Sequence, residues 1–113
     1  MTPGQALLLR IYTDENAMTG DRRFFDVLVE RARSMGLAGA TILRGLRGYG
    51  ASSTLHGGKA FDLAPNLPVV VEIVDVEASL RAFIATLQPE DEIGLVTLEK
   101  VEVVRYGGHR HHY

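Results

Sequence analysis

Alternating apolar and polar stretches divide the chain into strand-like and helix-like segments. Residues 7–12, 40–44, 67–74 and 93–98 are short aliphatic runs between polar or glycine-rich stretches, which predicts four largely buried strands. Residues 101–106 are also strand-like, but the apolar positions there change from even to odd numbers. This phase change predicts a bulge or break near residues 99–100, followed by a short C-terminal strand.

Two amphipathic helices are predicted between the strands. Residues 24–32 carry apolar positions at helical spacing, with Asp21 as the predicted N-cap and Gly36 as the residue that stops the helix. The second helix follows Asp75, its predicted N-cap, and has its apolar stripe over residues 76–87.

The element order β-α-β-loop-β-α-β predicts an α+β, ferredoxin-like βαββαβ fold with both helices on one face of an antiparallel sheet. The predicted domain covers residues 1–106. A long glycine-rich loop over residues 45–66 separates strands two and three, and loops of this length are usually functional or disordered. Several strands are apolar on both faces, so we expect another subunit to cover the face without helices.

Composition narrows the classes of function. The 113 residues carry a formal net charge of −2, so no global basic field exists to bind nucleic acid or an anionic membrane. No apolar run is long enough to span a bilayer, and no signal peptide is visible. The absence of cysteine excludes disulfides, thiolate metal sites and cysteine nucleophiles. These features are compatible with a cytoplasmic protein.

The segment from Arg44 to Lys59 carries candidate chemistry. Arg44, Arg47, His56 and Lys59 occur between residues 44 and 59, where there is no acidic residue. Arginine side chains and glycine-freed backbone amides suit phosphate or carboxylate groups, although a solvated loop also needs glycine for its turns. Tyr49, between two glycines, suits either stacking on a base or anchoring the base of the loop.

Residues 39–50 have the sequence Gly-Ala-Thr-Ile-Leu-Arg-Gly-Leu-Arg-Gly-Tyr-Gly. A strand that ends in a basic-Gly-aromatic-Gly stretch before a long loop resembles the entry to the T-loop of PII signalling proteins. The segment 67–75, the second helix and residues 94–106 follow in the same order as in that family. The resemblance is closest to a PII-like branch known as a domain of unknown function, and it extends nearly end to end, including Gly-Leu-Ala-Gly-Ala-Thr at 36–41.

The resemblance implies a non-catalytic homotrimer with a ligand cleft between each pair of subunits. The implied ligand is a small anion such as ATP, ADP or AMP, and a flexible T-loop-like loop is expected to pass the ligand state to a transporter or enzyme. No resident cofactor is implied. By position, the implied ligand-binding residues are Thr41, Arg47, Gly48, Tyr49, Gly50, Gly94 and Arg105.

One stretch departs from the family pattern. Residues 90–94, Glu-Asp-Glu-Ile-Gly, stand where the family has a glycine-rich, lysine-bearing phosphate motif. Three carboxylates repel a phosphate unless a metal intervenes, so this stretch favours a less charged ligand over ATP.

Three alternatives use other residues. His109, His111 and His112 in the tail 107–113 could bind zinc, copper or nickel, as in a CutA-like trimer, or belong to a disordered polar tail. Ser52, Ser53, His56 and Asp62 are hydrolase residue types, but they lie on one loop without a rigid scaffold. A purely structural role predicts a rigid loop that responds to no ligand.

Overall fold

The computed structural model describes residues 1–49 and 66–107, which form a four-stranded antiparallel sheet, a two-stranded hairpin and two helices. The elements are β1 (Gly4–Asp14), β2 (Met18–Thr19), β3 (Arg22–Arg23), α1 (Phe24–Ser34), β4 (Thr41–Arg44), β5 (Pro68–Asp75), α2 (Glu77–Ala85) and β6 (Leu95–Val103). The sheet order is β4-β5-β1-β6, so β4 and β6 are its two edges. The predicted α+β, ferredoxin-like fold class is confirmed.

The core lies between the helices and one face of the sheet. In this register Leu9 stands between Ile73 of β5 and Leu98 of β6, so their side chains share a face. The largest fully buried side chains are Phe24, Leu28, Leu80 and Phe83 from the helices and Leu9, Ile11, Val69, Val71 and Ile73 from the sheet. Each contributes roughly 1.5–3 kcal/mol by leaving water. The apolar faces of the helices and of the strands, both predicted from the sequence, therefore pack against each other in one core layer.

The last strand differs from the prediction. β6 is continuous, and its pairing with β1 keeps one register from Leu95 to Val103, so the predicted break near 99–100 and the separate strand at 101–106 are wrong. Val96 and Leu98 pack against the helix-side core. Val101 and Val103 fall on the opposite face, because successive side chains alternate along a strand. The phase change in the sequence therefore marks a switch of apolar face in an edge strand.

The start of α1 also differs from the prediction. The β2–β3 hairpin occupies residues 18–23, and Gly20 adopts the φ of +61° that its turn requires. Asp21 lies in that turn and is not the N-cap, because α1 begins at Phe24 with Arg23 before it and no side-chain cap. Asp75 is not the predicted N-cap of α2 either, because it is the last residue of β5 and Val76 holds the N-cap position without a side-chain cap.

Gly36 ends α1 as predicted, with φ at +79°. The Gly36 N–H donates to the Arg33 carbonyl at 3.1 Å, and the Leu37 N–H donates to the Ala32 carbonyl at 3.1 Å. This is the double hydrogen bond of a Schellman cap. Neither helix of the described ranges is long and apolar enough to cross a membrane.

Candidate ligand-binding site

The chain leaves the sheet at the end of β4 and returns at the start of β5. We call residues 44–49 and 66–68 the loop base. The Gly45 N–H donates to the Pro68 carbonyl at 2.8 Å, and a Cβ at position 45 would stand 2.7 Å from Pro68 Cγ. A Cβ at Gly48 would stand 3.3 Å from the same atom. Glycine at position 45 therefore lets β4 turn across the proline ring.

The predicted ligand-binding residues of the loop base point to solvent. Arg47 and Gly48 are exposed, and Tyr49 is 85% exposed. Tyr49 is therefore not a buried anchor in this chain, and its ring is available for stacking on a planar group. Gly50, also predicted to bind ligand, and most of the predicted loop lie outside the described residues, at 50–65.

A two-residue turn after β1 contacts both sides of the loop base. The Glu15 carboxylate lies 3.1 Å from the Arg44 guanidinium on the outgoing side. On the returning side, the Glu15 N–H donates to the Leu67 carbonyl at 2.8 Å, and the Asn16 N–H donates to Asn66 Oδ1 at 2.9 Å. The sequence prediction missed this turn, because residues 13–20 show no local signal beyond polarity that ends a strand.

The acidic stretch 90–94 lies at the same end of the sheet. The Gly94 N–H donates to the Tyr12 carbonyl at 2.8 Å, next to the first residue of β6. Glu90 turns away to form an ion pair with Arg31 at 3.1 Å, and both side chains are largely covered. Asp91 and Glu92 form no ion pair within residues 1–49 and 66–107. The ion pair neutralises one of the three carboxylates, so the repulsion of a phosphate near Gly94 is weaker but is still present.

The opposite end of the sheet carries a cleft of about 690 Å³. Its lining includes Val29, Arg33, Leu37, Ala40, Asp75 and Tyr106. The Ala38 peptide is held from two sides, because its N–H donates to the buried Asp75 carboxylate at 2.8 Å and its carbonyl accepts from the Tyr106 hydroxyl at 3.3 Å. Thr41 directly follows the lining residue Ala40 in sequence, and Arg105 directly precedes the lining residue Tyr106.

The face of the sheet without helices, here called the open face, carries a charged centre. Arg10 Nε donates to Glu72 Oε2 at 2.9 Å, and Arg10 Nη1 donates to Glu99 Oε1 at 2.9 Å. These hydrogen bonds, first that to Glu72, hold the pKa of Arg10 above its ordinary value. The flanking side chains of Leu8 and Val74 are only half-buried. Glu72 is thus a paired carboxylate of this face.

One chain does not bring the predicted site residues together. Arg47, Gly48, Tyr49 and Gly94 lie at the end of the sheet where β4 finishes and β6 begins, but on its two opposite edges. Arg105 is exposed at the other end, two residues beyond the pair Gly4–Val103. Strand order and direction therefore separate these residues within the subunit.

The metal alternative involves residues that the structure does not describe. His109, His111 and His112 lie outside the described ranges, as do Ser52, Ser53, His56 and Asp62. Within the described ranges, no group of three or more acidic or histidine side chains could hold a metal ion.

Solved structures share this architecture. The fold matches CPII from Thiomonas intermedia K12, a nitrogen regulatory PII-like protein bound to ADP, AMP and bicarbonate, with a TM-score of 0.63 at 20% identity over 90% of this chain and 96% of CPII. A structure of CPII bound to ADP, AMP and acetate matches with a TM-score of 0.64 at 19% identity, over 93% and 94%. The PII-like fold inferred from the sequence is confirmed.

Closer sequence relatives identify the family. A UPF0166 protein of Aquifex aeolicus is 42% identical over 97 residues, which cover 86% of this chain and 91% of that protein. A second UPF0166 protein, from Methanocaldococcus jannaschii, is 30% identical over 83 residues, or 74% of this chain and 76% of the relative. The family model described as "Uncharacterized ACR, COG1993" matches residues 6–103. The chain therefore belongs to the DUF190 family of PII-like fold.

Proposed function

We propose that this protein is a PII-like signal-transduction protein that binds a small anionic effector, an adenine nucleotide, and regulates a partner protein. The observation that carries the proposal is the loop base, where the exposed Arg47 and Tyr49 stand beside glycines on a PII-like sheet. A guanidinium and an aromatic ring suit a phosphate and a base, respectively. CPII, which has the same fold, was solved with ADP, AMP and bicarbonate bound.

The proposed effector lies between subunits of a homotrimer. Arg47 and Gly94 occupy opposite edges of one sheet, and Arg105 lies at its far end. Packing between copies would place the edge of one sheet beside the edge of the next, so that one site draws on two chains. The half-buried side chains of the open face supply apolar surface for such packing.

Among adenine nucleotides, AMP fits the charges better than ATP. Asp91 and Glu92 remain without a cationic partner in the described residues near Gly94, so every added phosphate increases the repulsion. We therefore propose AMP or ADP as the effector, with Arg47 and Thr41 of one chain and Arg105 of another as contacts.

The output of the site is regulatory and non-catalytic in this proposal. Residues 45–66 carry the ligand state to a transporter or an enzyme in the cytoplasm, because the loop base adjoins the proposed nucleotide contacts. A ligand shifts such an equilibrium only by its difference in affinity for the two states. The division into a domain at 1–106 and a tail at 107–113 stays a prediction.

Calorimetry with AMP, ADP, ATP and bicarbonate tests the effector. We expect AMP and ADP to bind more tightly than ATP, and Arg47→Ala to weaken AMP binding by about tenfold or more, since a charge-assisted hydrogen bond is lost. Arg81→Ala on α2 is the matched control, because among residues 1–49 and 66–107 Arg81 pairs only with Glu77 on its own helix. Absence of heat with every nucleotide at millimolar concentration would reject the nucleotide proposal.

A further inference from the structure

The ion pair between Glu15 and Arg44 places a carboxylate of the protein itself on a cation of the loop base. We propose that Glu15 acts as a built-in competitor for anionic effectors, and that Arg44 is an effector contact which becomes available when Glu15 is displaced. This inference rests on the proposed function, since it concerns the same anion site. It adds a specificity-determining carboxylate in a segment that precedes α1.

The backbone of Glu15 is fixed from two directions. Its N–H donates to the Leu67 carbonyl at 2.8 Å, and its carbonyl accepts from Arg23 Nη1 at 3.1 Å. Arg23 also donates to Asn16 Oδ1 at 3.1 Å, which joins the turn to the residue before α1. The backbone of Glu15 is therefore held by the returning side of the loop base and by the residue before α1.

Arg44 and Glu15 are joined by one N···O contact, and the arginine side chain is more exposed than the glutamate side chain. One guanidinium nitrogen, Nη2, lies 3.1 Å from Glu15 Oε1, and the side chains are 59% and 26% exposed for Arg44 and Glu15, respectively. The remaining N–H groups of Arg44 form no other hydrogen bond or ion pair within the described chain. An incoming anion can therefore approach the same guanidinium from solvent.

The local charges make displacement favourable for a strong anion. Arg47 follows three residues after Arg44, is exposed, and has no ionic partner in residues 1–49 and 66–107. A phosphate monoester carries more charge than one carboxylate, and Arg47 adds positive charge to the same loop base, so a phosphate can replace Glu15 at Arg44. Glu15 therefore weakens binding of every anion and sets the minimum charge that an effector needs.

The test compares AMP binding by the full chain and by Glu15→Gln, which keeps the size of the side chain and removes its charge. We expect AMP to bind about three- to tenfold more tightly to Glu15→Gln at low ionic strength, with a smaller gain at high salt. Glu77→Gln is the control, because Glu77 forms its exposed ion pair with Arg81 on α2. In an Arg44→Gln background, the Glu15 substitution should change the affinity by less than about twofold.

The outcomes separate this inference from the proposed function. AMP binding that is unchanged or weaker in Glu15→Gln would overturn the role of Glu15 and leave the nucleotide site standing. An equal gain in Glu77→Gln, or a gain that persists in the Arg44→Gln background, would also overturn it. Failure of both the original protein and Glu15→Gln to bind AMP would overturn the two proposals together.

Discussion

At the scale of single residues, Asp75 joins two segments that are distant in sequence. Its Oδ1 accepts from the adjacent Val76 N–H at 2.7 Å, and its Oδ2 accepts from the Ala38 N–H at 2.8 Å. Asp75 is 7% exposed. The position of Asp75 between a strand and a helix was readable in the sequence, whereas its contact with Ala38 joins residues 37 positions apart and depends on the tertiary fold.

Replacement of Asp75 should therefore destabilise the fold, because one side chain holds two segments of backbone. We expect Asp75→Ala to lower the free energy of unfolding by about 2–4 kcal/mol, because two partly buried N–H groups lose a charged acceptor. Asp75→Asn keeps one oxygen and should cost about half as much. Urea denaturation measures both, and exposed Asp91→Ala serves as the control. Equal stability of Asp75→Ala and Asp91→Ala would contradict this account.

At the scale of elements, Arg31 connects the two helices. Its guanidinium donates to the Thr86 carbonyl at 3.3 Å and to the Glu90 carboxylate at 3.1 Å. Thr86 is the C-cap of α2, so Arg31 of α1 satisfies a carbonyl at the end of its neighbour. This contact also orients the stretch that leads from α2 into β6.

Loss of the Arg31 contacts should loosen the end of α2. We expect Arg31→Met to lower the free energy of unfolding by about 1–3 kcal/mol, because it leaves Glu90 unpaired in a largely covered position. Arg33→Met is a close control, since Arg33 lies in the same last turn of α1, is exposed and forms no ion pair in the described residues. Chemical denaturation that shows equal losses would argue against a specific role for Arg31.

The elements themselves were largely predictable, but their limits were not. Strong apolar periods identified both helices and the strands that contain Leu9, Val71 and Leu98. The β2–β3 hairpin escaped prediction because two-residue strands have no measurable period. The continuity of β6 was not predicted, because a change of apolar face in an edge strand has the same sequence pattern as a bulge.

At the scale of the molecule, the open face is the surface on which we propose that another copy of the chain packs. Arg10 and its two carboxylates lie among half-buried apolar side chains on a sheet face that carries no helix. Sequence reasoning predicted apolar residues on both faces, but it could not place Arg10 between Glu72 and Glu99, since that needs the strand order. It also named site residues that the strand order places apart within one chain.

A charge placed on the open face should separate the copies. We expect Leu8→Glu to convert the proposed trimer into monomers, because Leu8 stands opposite Val74 and beside Glu99 in the sheet register. Ala78→Glu adds the same charge on the exposed surface of α2 and should leave the assembly unchanged. Light scattering coupled to gel filtration reports the mass, and circular dichroism checks the fold. A trimeric Leu8→Glu protein would exclude this face as the contact.

The strand order has a consequence for a chain cut within residues 50–65. The piece before the cut contributes β4 and β1, the piece after it contributes β5 and β6, and the two pieces alternate across the sheet. β5 is hydrogen-bonded on both sides to strands of the other piece, and β1 likewise. A nicked protein would therefore hold together as a two-fragment complex, because separating the pieces would break every strand pairing of the four-stranded sheet.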